Sequence, residues 1–441
     1  MRGAKEDSGQ ILIVLAIVLP VLILFMGLTI DGGMAYITKA KLSKAVDAAC
    51  LTGMKNLWQG HATATTLATH IFNANYGTNP PTPTVTFPTD SYGNQQVSVT
   101  ATASVPTFFA QRLFSFWSVS DTATATRGKL VMSLVLDRSG SMASTGTTQG
   151  GPSLKVAAPN FVNSWNNAVD KLAMVSFASN ATVDFPIATN FQSPIDTAIG
   201  NLNFTGGTFG TGGTYVAGDG PPLTLADHQI TSVPIAAGDN IIRIAIYFTD
   251  GLMNTIQDTF TCYTNATTKI TPLINYGGYD SGSTVDFFDP TSATTDWGSY
   301  STGVLYGTGK ICQNPYGTNV TKFLSQRTGL QTSINRTNVT AEAQYRALTT
   351  ANAMRAETPG TYIYVIGLGN QISGSVSTEA FLATLANDST GPSKYTGAIY
   401  NSSLPDGLFE PVPDCPSSAC TTELNTAFQT IASKILLRLT Q

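Results

Sequence analysis

Histidine is nearly missing from this sequence: three occur in 441 residues, at His61, His70 and His228. Imidazole is the side chain best matched to acid/base work near neutral pH, so histidine-driven catalysis has almost no material here. Charge is scarce as well, at 11% of residues with a formal net charge of -4. A nucleic-acid binder needs a basic face, and a disordered polyelectrolyte needs low hydrophobicity; with 42% hydrophobic residues the chain is neither. Cysteine is limited to five, with Cys50 in a helical pattern and Cys262, Cys312, Cys415 and Cys420 in loop-like sequence. Without histidine nearby those four make a poor zinc site and a reasonable disulfide set. Of the three possible pairings, Cys415 with Cys420 closes locally and leaves Cys262 for Cys312, with Cys50 free.

The length excludes a single small domain. Forty glycines and 22 prolines, with runs of Thr, Asn and Ser, describe a turn-rich, uncharged polar surface of the kind found outside the cytoplasm. One segment breaks that pattern. Ile11 to Ile30 reads ILIVLAIVLPVLILFMGLTI without a charge, about the 20 residues a helix needs to cross the hydrocarbon core. A signal peptide would have a shorter apolar stretch followed by a small-residue cleavage site. We therefore expect a cytoplasmic N-terminus over residues 1–10 and a transmembrane helix over 11–30, with Pro20 tolerated inside it. Arg2 and Lys5 precede the span while Lys39, Lys41 and Lys44 follow it, a count that alone would leave the C-terminus inside. Large domains translocate largely regardless of such charge, so the loop cysteines and neutral polar composition place the remainder outside.

After the span, Leu42, Val46, Ala49, Gly53 and Leu57 recur at helical spacing, predicting a helical stalk over residues 31–75. Its small residues (Ala45, Ala48, Ala49, Cys50, Gly53) suit close packing, most simply against the chain's own downstream part. The apolar span, Asp31 to Gly33, the Tyr-x-x-Lys-x-Lys-Leu stretch from Tyr36 to Leu42 and Val46 to Ala49 together resemble the N-terminal segment of TadE/TadG-like proteins of bacterial tight-adherence (Flp) pilus systems. The resemblance implies a single-pass inner-membrane protein with a periplasmic or extracytoplasmic head, working with other pilus-assembly membrane proteins. No Glu lies five residues after Gly3 or Gly9, which argues against prepilin-type processing.

Residues 76–128 predict a small α+β spacer. Thr84 to Phe87 and Gln96 to Ala103 alternate about a turn, Val105 to Phe116 reads as a short helix opened by Pro106, and Val119 to Ala125 alternates again.

From residue 129 to 441 apolar strands alternate with helices, the signature of a doubly wound, mostly parallel α/β sheet. The buried strand KLVMSLVL runs into Asp137-Arg138-Ser139-Gly140-Ser141, and IIRIAIYF runs into Thr249-Asp250-Gly251. Ligands bind beyond the carboxyl ends of such strands, and carboxylates with hydroxyls are hard oxygen donors suited to Mg²⁺. With Leu202-x-x-x-Gly-Gly-Thr208 between them, these motifs resemble the von Willebrand factor A domain with its metal-ion-dependent adhesion site. That resemblance implies that Asp137, Ser139, Ser141, Asp250 and either Thr208 or Thr214 hold Mg²⁺, or Mn²⁺ or Ca²⁺, and that a protein partner's Asp or Glu carboxylate completes the ion's shell. The chain would be a binding protein and not an enzyme. The alternative is a scaffold of the pilus apparatus whose metal only ties loops together.

Residues 255–338, rich in Thr, Asn, Gly and Tyr, form an insertion starting at the metal-bearing rim. Gly303 to Lys310 imitates a phosphate-binding loop, but Ile311 stands where a Ser or Thr would bind Mg²⁺. Ser141 has neither a nucleophile elbow nor a histidine partner. Glu423 to Leu439 predicts an amphipathic C-terminal helix, again similar to TadG-type proteins.

Overall fold

A computed structural model describes residues 8–57, 60–109, 115–143, 150–178, 181–204, 222–236, 238–253, 336–413 and 418–439, together with short strands between 255 and 306. The chain divides after Gly128 into two compact units.

The first unit is built on one long helix, α1 (Ser8–Lys55), with Pro20 inside it. From Ile13 to Ile30 its apolar side chains are exposed all round, so this stretch is long and apolar enough to cross a membrane. Beyond it the pattern becomes one-sided, and Leu42, Ala45, Val46, Ala49, Cys50 and Met54 are buried. They pack with α2 (His61–Tyr76), through Ala68 and Phe72, and with a three-stranded antiparallel sheet of β1 (Thr84–Thr86), β2 (Gln96–Pro106) and β3 (Phe116–Thr126). The small residues of α1 serve that closeness: a Cβ on Gly53 would sit 3.1 Å from Val97 and 3.4 Å from Ala68. The segments expected as separate stalk and spacer thus share one core. The helix expected over Val105 to Phe116 is a correction. Val97, Val99, Ala101, Ala103 and Val105 keep alternating inward, and the β2–β3 ladder extends to Pro106 opposite Phe116, so strand pairing overrides the helical reading of Pro106.

The second unit is the expected doubly wound sheet. Its strands are β4 (Lys129–Asp137), β5 (Lys171–Phe177), β6 (Ala181–Ala188), β7 (Ile241–Thr249), β15 (Thr361–Leu368) and β16 (Leu408–Val412), in the order β16-β15-β7-β4-β5-β6. All neighbours are parallel except β6, which runs antiparallel to β5 at the edge. Both faces are covered, which is why β4 and β7 read as mostly apolar runs, interrupted only by Ser133 and Arg243 within them. On one face Leu130, Met132, Leu134 and Leu136 meet α3 (Gly150–Val162), α4 (Gln192–Gly200) and α10 (Ser418–Leu439) through Leu154, Phe161, Ile195, Leu424 and Phe428. On the other, Val131 and Val135 meet α5 (Pro222–Thr231), α6 (Arg336–Ala356) and α8 (Val376–Ala386) through Leu223, Ala226, Ala351, Met354 and Leu382. Single-turn helices α7 (Asn370–Ser373) and α9 (Gly391–Lys394) lie in the connections around α8.

Between β7 and α6 the described residues form seven short strands. β8 (Thr255–Gln257), β11 (Leu273–Asn275), β12 (Val285–Phe288), β13 (Asp296–Ser301) and β14 (Val304–Tyr306) form an antiparallel sheet, and β9 (Phe260–Thr261) pairs with β10 (Lys269–Ile270). The region expected as an insertion therefore contains a sheet of its own.

Candidate metal centre at the sheet switch point

The chain passes from β4 to β5 on one side of the sheet and later returns to β7 on the other, so β4 and β7 flank the point where strand order reverses. Loops at their carboxyl ends splay apart there and leave a crevice. Asp137, the last residue of β4, is 3% exposed. One of its oxygens accepts the Ser139 amide at 2.8 Å, and the other accepts the Thr249 hydroxyl at 2.8 Å and, at 3.4 Å, the Asp250 amide. The chain then makes a single 3-10 turn, Gly140–Met142, anchored by the buried Met142. That turn sets Ser139 Oγ 3.0 Å from Ser141 Oγ. Both hydroxyls reach Asp250 Oδ1, at 3.4 Å from Ser139 and 2.9 Å from Ser141. Four of the residues expected at the site, Asp137, Ser139, Ser141 and Asp250, are thus brought together from positions more than a hundred residues apart.

Electrostatics make this an uncomfortable place for two carboxylates. Burial pushes the Asp137 carboxyl above its usual range. Burial, then the charge of Asp137, pushes Asp250 up to about 7. Tyr247, deep beneath them, is held well above its ordinary value by burial and by both carboxylates. Arg138, though adjacent in sequence, donates its Nε to Ser176 at 3.1 Å. Among the described residues no three His, Cys, Asp or Glu side chains converge on a metal. The donor set here is two carboxylates with two hydroxyls, all hard oxygens of low individual affinity, which suits Mg²⁺ or a similar ion better than zinc.

Thr208 and Thr214 lie outside the described residues. Phe204, where the preceding segment ends, packs against Gly151 at the start of α3, and a Cβ on Gly151 would also lie 2.8 Å from the Met142 carbonyl oxygen. Two contributors escaped the sequence reading. Thr249 orients Asp137, and its signal was a hydroxyl residue beside Asp250 at a strand end. Gly150 and Gly151 let α3 begin against Met142, and their signal was a glycine pair opening a helix. Of the cysteines, Cys50 is free and buried, and Cys420 is buried in the first turn of α10. Cys262, Cys312 and Cys415 lie outside the described residues.

Several solved structures are similar over much of the chain at low identity. A variant of the PilB minor pilin from Streptococcus sanguinis is 16% identical, with 82% of this chain and 81% of that one covered at a TM-score of 0.36. The vWF domain of the type V pili tip protein Mfa5 from Porphyromonas gingivalis is 13% identical, with coverage of 72% and 98% and a TM-score of 0.39. Manganese-loaded TRAP protein from Plasmodium vivax is 12% identical, with coverage of 75% and 78% and a TM-score of 0.30. Likenesses of this size carry no weight beside the chain's own strand order. No curated protein matches the sequence. The N-terminal segment is more specific: residues 9–56 match the family described as putative Flp pilus-assembly TadE/G-like.

Proposed function

We propose that this chain is a membrane-anchored pilus-assembly or adhesion protein whose head recognises a partner through a divalent cation. The observation that carries the reading is the meeting of Asp137, Ser139, Ser141 and Asp250 at the switch point, where the buried carboxylate of Asp137 and the half-buried one of Asp250 repel each other. Mg²⁺ would be held by those four residues and by Thr208 or Thr214, which follow the segment anchored at Phe204. Hydroxyl donors add no charge, so the ion keeps enough electrophilicity to bind an outside Asp or Glu carboxylate. The protein's own part is to fix the donors and to exclude water from Asp137. The TadE/G-like N-terminal segment supports placement among pilus-assembly membrane proteins. The apolar stretch of α1 supports a single-pass anchor, and we assign it to the bacterial inner membrane with the head outside. No histidine lies among the described site residues, and binding is favoured over hydrolysis. The cysteine pairing of 262 with 312 and 415 with 420 fits export and agrees with Cys420 being disulfide-bonded; non-reducing peptide mapping tests it, and one crossed peptide overturns it.

Calorimetric titration of the full chain in detergent should give an Mg²⁺ or Mn²⁺ isotherm that Asp137→Ala abolishes. Thr208→Ala and Thr214→Ala measured separately identify the fifth donor. Pull-down from cell envelopes should depend on Mg²⁺ and on Asp137. Metal binding without that dependence would favour the scaffold reading, and no isotherm at all would end the adhesion-site reading.

A further inference from the structure

β2 and β3 lie along α1 in a register set by Lys39, whose Nζ pairs with Asp121 at 2.6 Å and donates to the Ser120 carbonyl oxygen at 2.5 Å. Toward the N-terminus of α1 the far end of this strand pair is held by Asp31. Its buried carboxylate accepts the amide of Phe108 at 2.9 Å and that of Phe109 at 3.1 Å. One turn earlier, Gly27 makes room for Phe109, because a Cβ there would overlap that side chain. Gly32 faces Trp117, 4.0 Å from where its Cβ would be. The end of the strand pair is therefore fixed level with residues 27–32, where the uncharged run ending at Ile30 stops. Even so, Phe108, Phe109 and Phe116 are 64%, 53% and 58% exposed.

We propose that Phe108, Phe109 and Phe116 form an aromatic rim that enters the bilayer interface of the leaflet from which α1 emerges, with lipid as its occupant. Continuity favours lipid: the rim adjoins the exposed apolar surface of α1 at Phe25, Met26, Leu28 and Ile30. Aromatic rings are favoured at that depth, where they shed water from their faces without entering the hydrocarbon centre. Asp31 fits the same picture. A carboxylate near the hydrocarbon is costly unless satisfied within the protein, and the amides of the rim supply donors. The rim would limit the tilt and rotation open to a single helix anchor.

The inference rests on α1 being a membrane anchor, and the test separates the two. The full chain is placed in phosphatidylethanolamine/phosphatidylglycerol nanodiscs and spin-labelled at Phe108→Cys, at Phe116→Cys, at Ile17→Cys within the span and at Tyr92→Cys in the β1–β2 turn. The unsubstituted chain serves as the labelling blank. Accessibility to oxygen and to a water-soluble nickel chelate is then compared. Labels at 108 and 116 should favour oxygen over nickel, as at 17 and unlike at 92. Nickel access at 108 and 116 equal to that at 92, or shielding from both reagents, overturns the rim while oxygen-rich 17 preserves the anchor. Nickel access at 17 overturns both.

Discussion

At the scale of single residues, Thr249 matters because its hydroxyl is the 2.8 Å donor that holds one oxygen of Asp137 in place. Thr249→Val keeps the β-branched shape and removes the hydroxyl, and with it the donor to Asp137 and the contacts to the Gly251 main chain. A buried acceptor left short of a partner costs about 1 kcal/mol or more, and losing the group that orients a ligand weakens metal affinity by about 10- to 100-fold. Denaturant unfolding and Mg²⁺ titration should show both changes, and unchanged affinity would mean that Asp137 needs no such support. Asp227 on α5 gives a second residue-level prediction. Burial, and then the charge of Glu357, pushes its carboxyl up to about 6. The unfolded value is about 4, so the folded chain holds the proton through the interval between. The resulting stability is present below about pH 4 and is lost as pH rises through about 6. Asp227→Asn should therefore stabilise the head near pH 7, by about 1 kcal/mol once solvent screening is allowed for, and should make no difference near pH 3.5. A pH-independent effect would show that Asp227 is not perturbed. Thr249 carried only the signal of a hydroxyl residue beside Asp250, with nothing to say that it would turn toward Asp137, and the closeness of Asp227 to Glu357 exists only after folding. The four described donors were legible because each lies in a fixed motif at the end of a mostly apolar strand.

At the scale of elements, legibility followed burial. β4 and β7, covered on both faces, announce themselves as runs of Leu, Val and Ile. β16 does not: it reads Leu-Phe-Glu-Pro-Val, and a proline that cannot donate to a ladder is tolerable because this strand is at the sheet edge. The strands of the insertion, two to six residues each in Thr- and Gly-rich sequence, are too short to show alternation. The missed extension of β2 has a different cause, since Pro106 satisfies a helix-start rule as well as a strand-end rule and only the partner strand decides between them. What docks β16 is Gly407, just before it, where a Cβ would overlap the main-chain oxygens of Ile363 and Ala386. Main-chain atoms of a core strand and a core helix cannot yield as a flexible side chain can. Gly407→Ala should destabilise the head by about 2–3 kcal/mol, measured by denaturant unfolding, and a change below about 0.5 kcal/mol would mean that the edge strand shifts freely.

At the scale of the whole molecule, the proposed ion site belongs to the second unit alone and exists only in its folded state. Ser139 and Asp250 are 111 positions apart in sequence, so an unfolded chain cannot present them together, and cation binding adds directly to the head's stability. At a free Mg²⁺ concentration about 100 times the dissociation constant, that addition is about 2.7 kcal/mol. For a unit of this size it corresponds to a rise in unfolding temperature of roughly 4 °C. The first unit has its own core on α1 and contains none of the proposed donors. Scanning calorimetry of the full chain, with the head's transition identified from a chain beginning at residue 129, should show that transition alone moving upward with Mg²⁺ and falling back with a chelator. Asp137→Ala should remove the rise. In the ion-free state the same substitution should change the transition little or even raise it, because deleting Asp137 relieves the repulsion that pushes Asp250 up to about 7. A rise that survives Asp137→Ala would place the ion elsewhere. A large loss of stability in the ion-free variant would instead make Asp137 a structural hydrogen-bond centre, with its contacts to Ser139, Thr249 and Asp250 as its purpose.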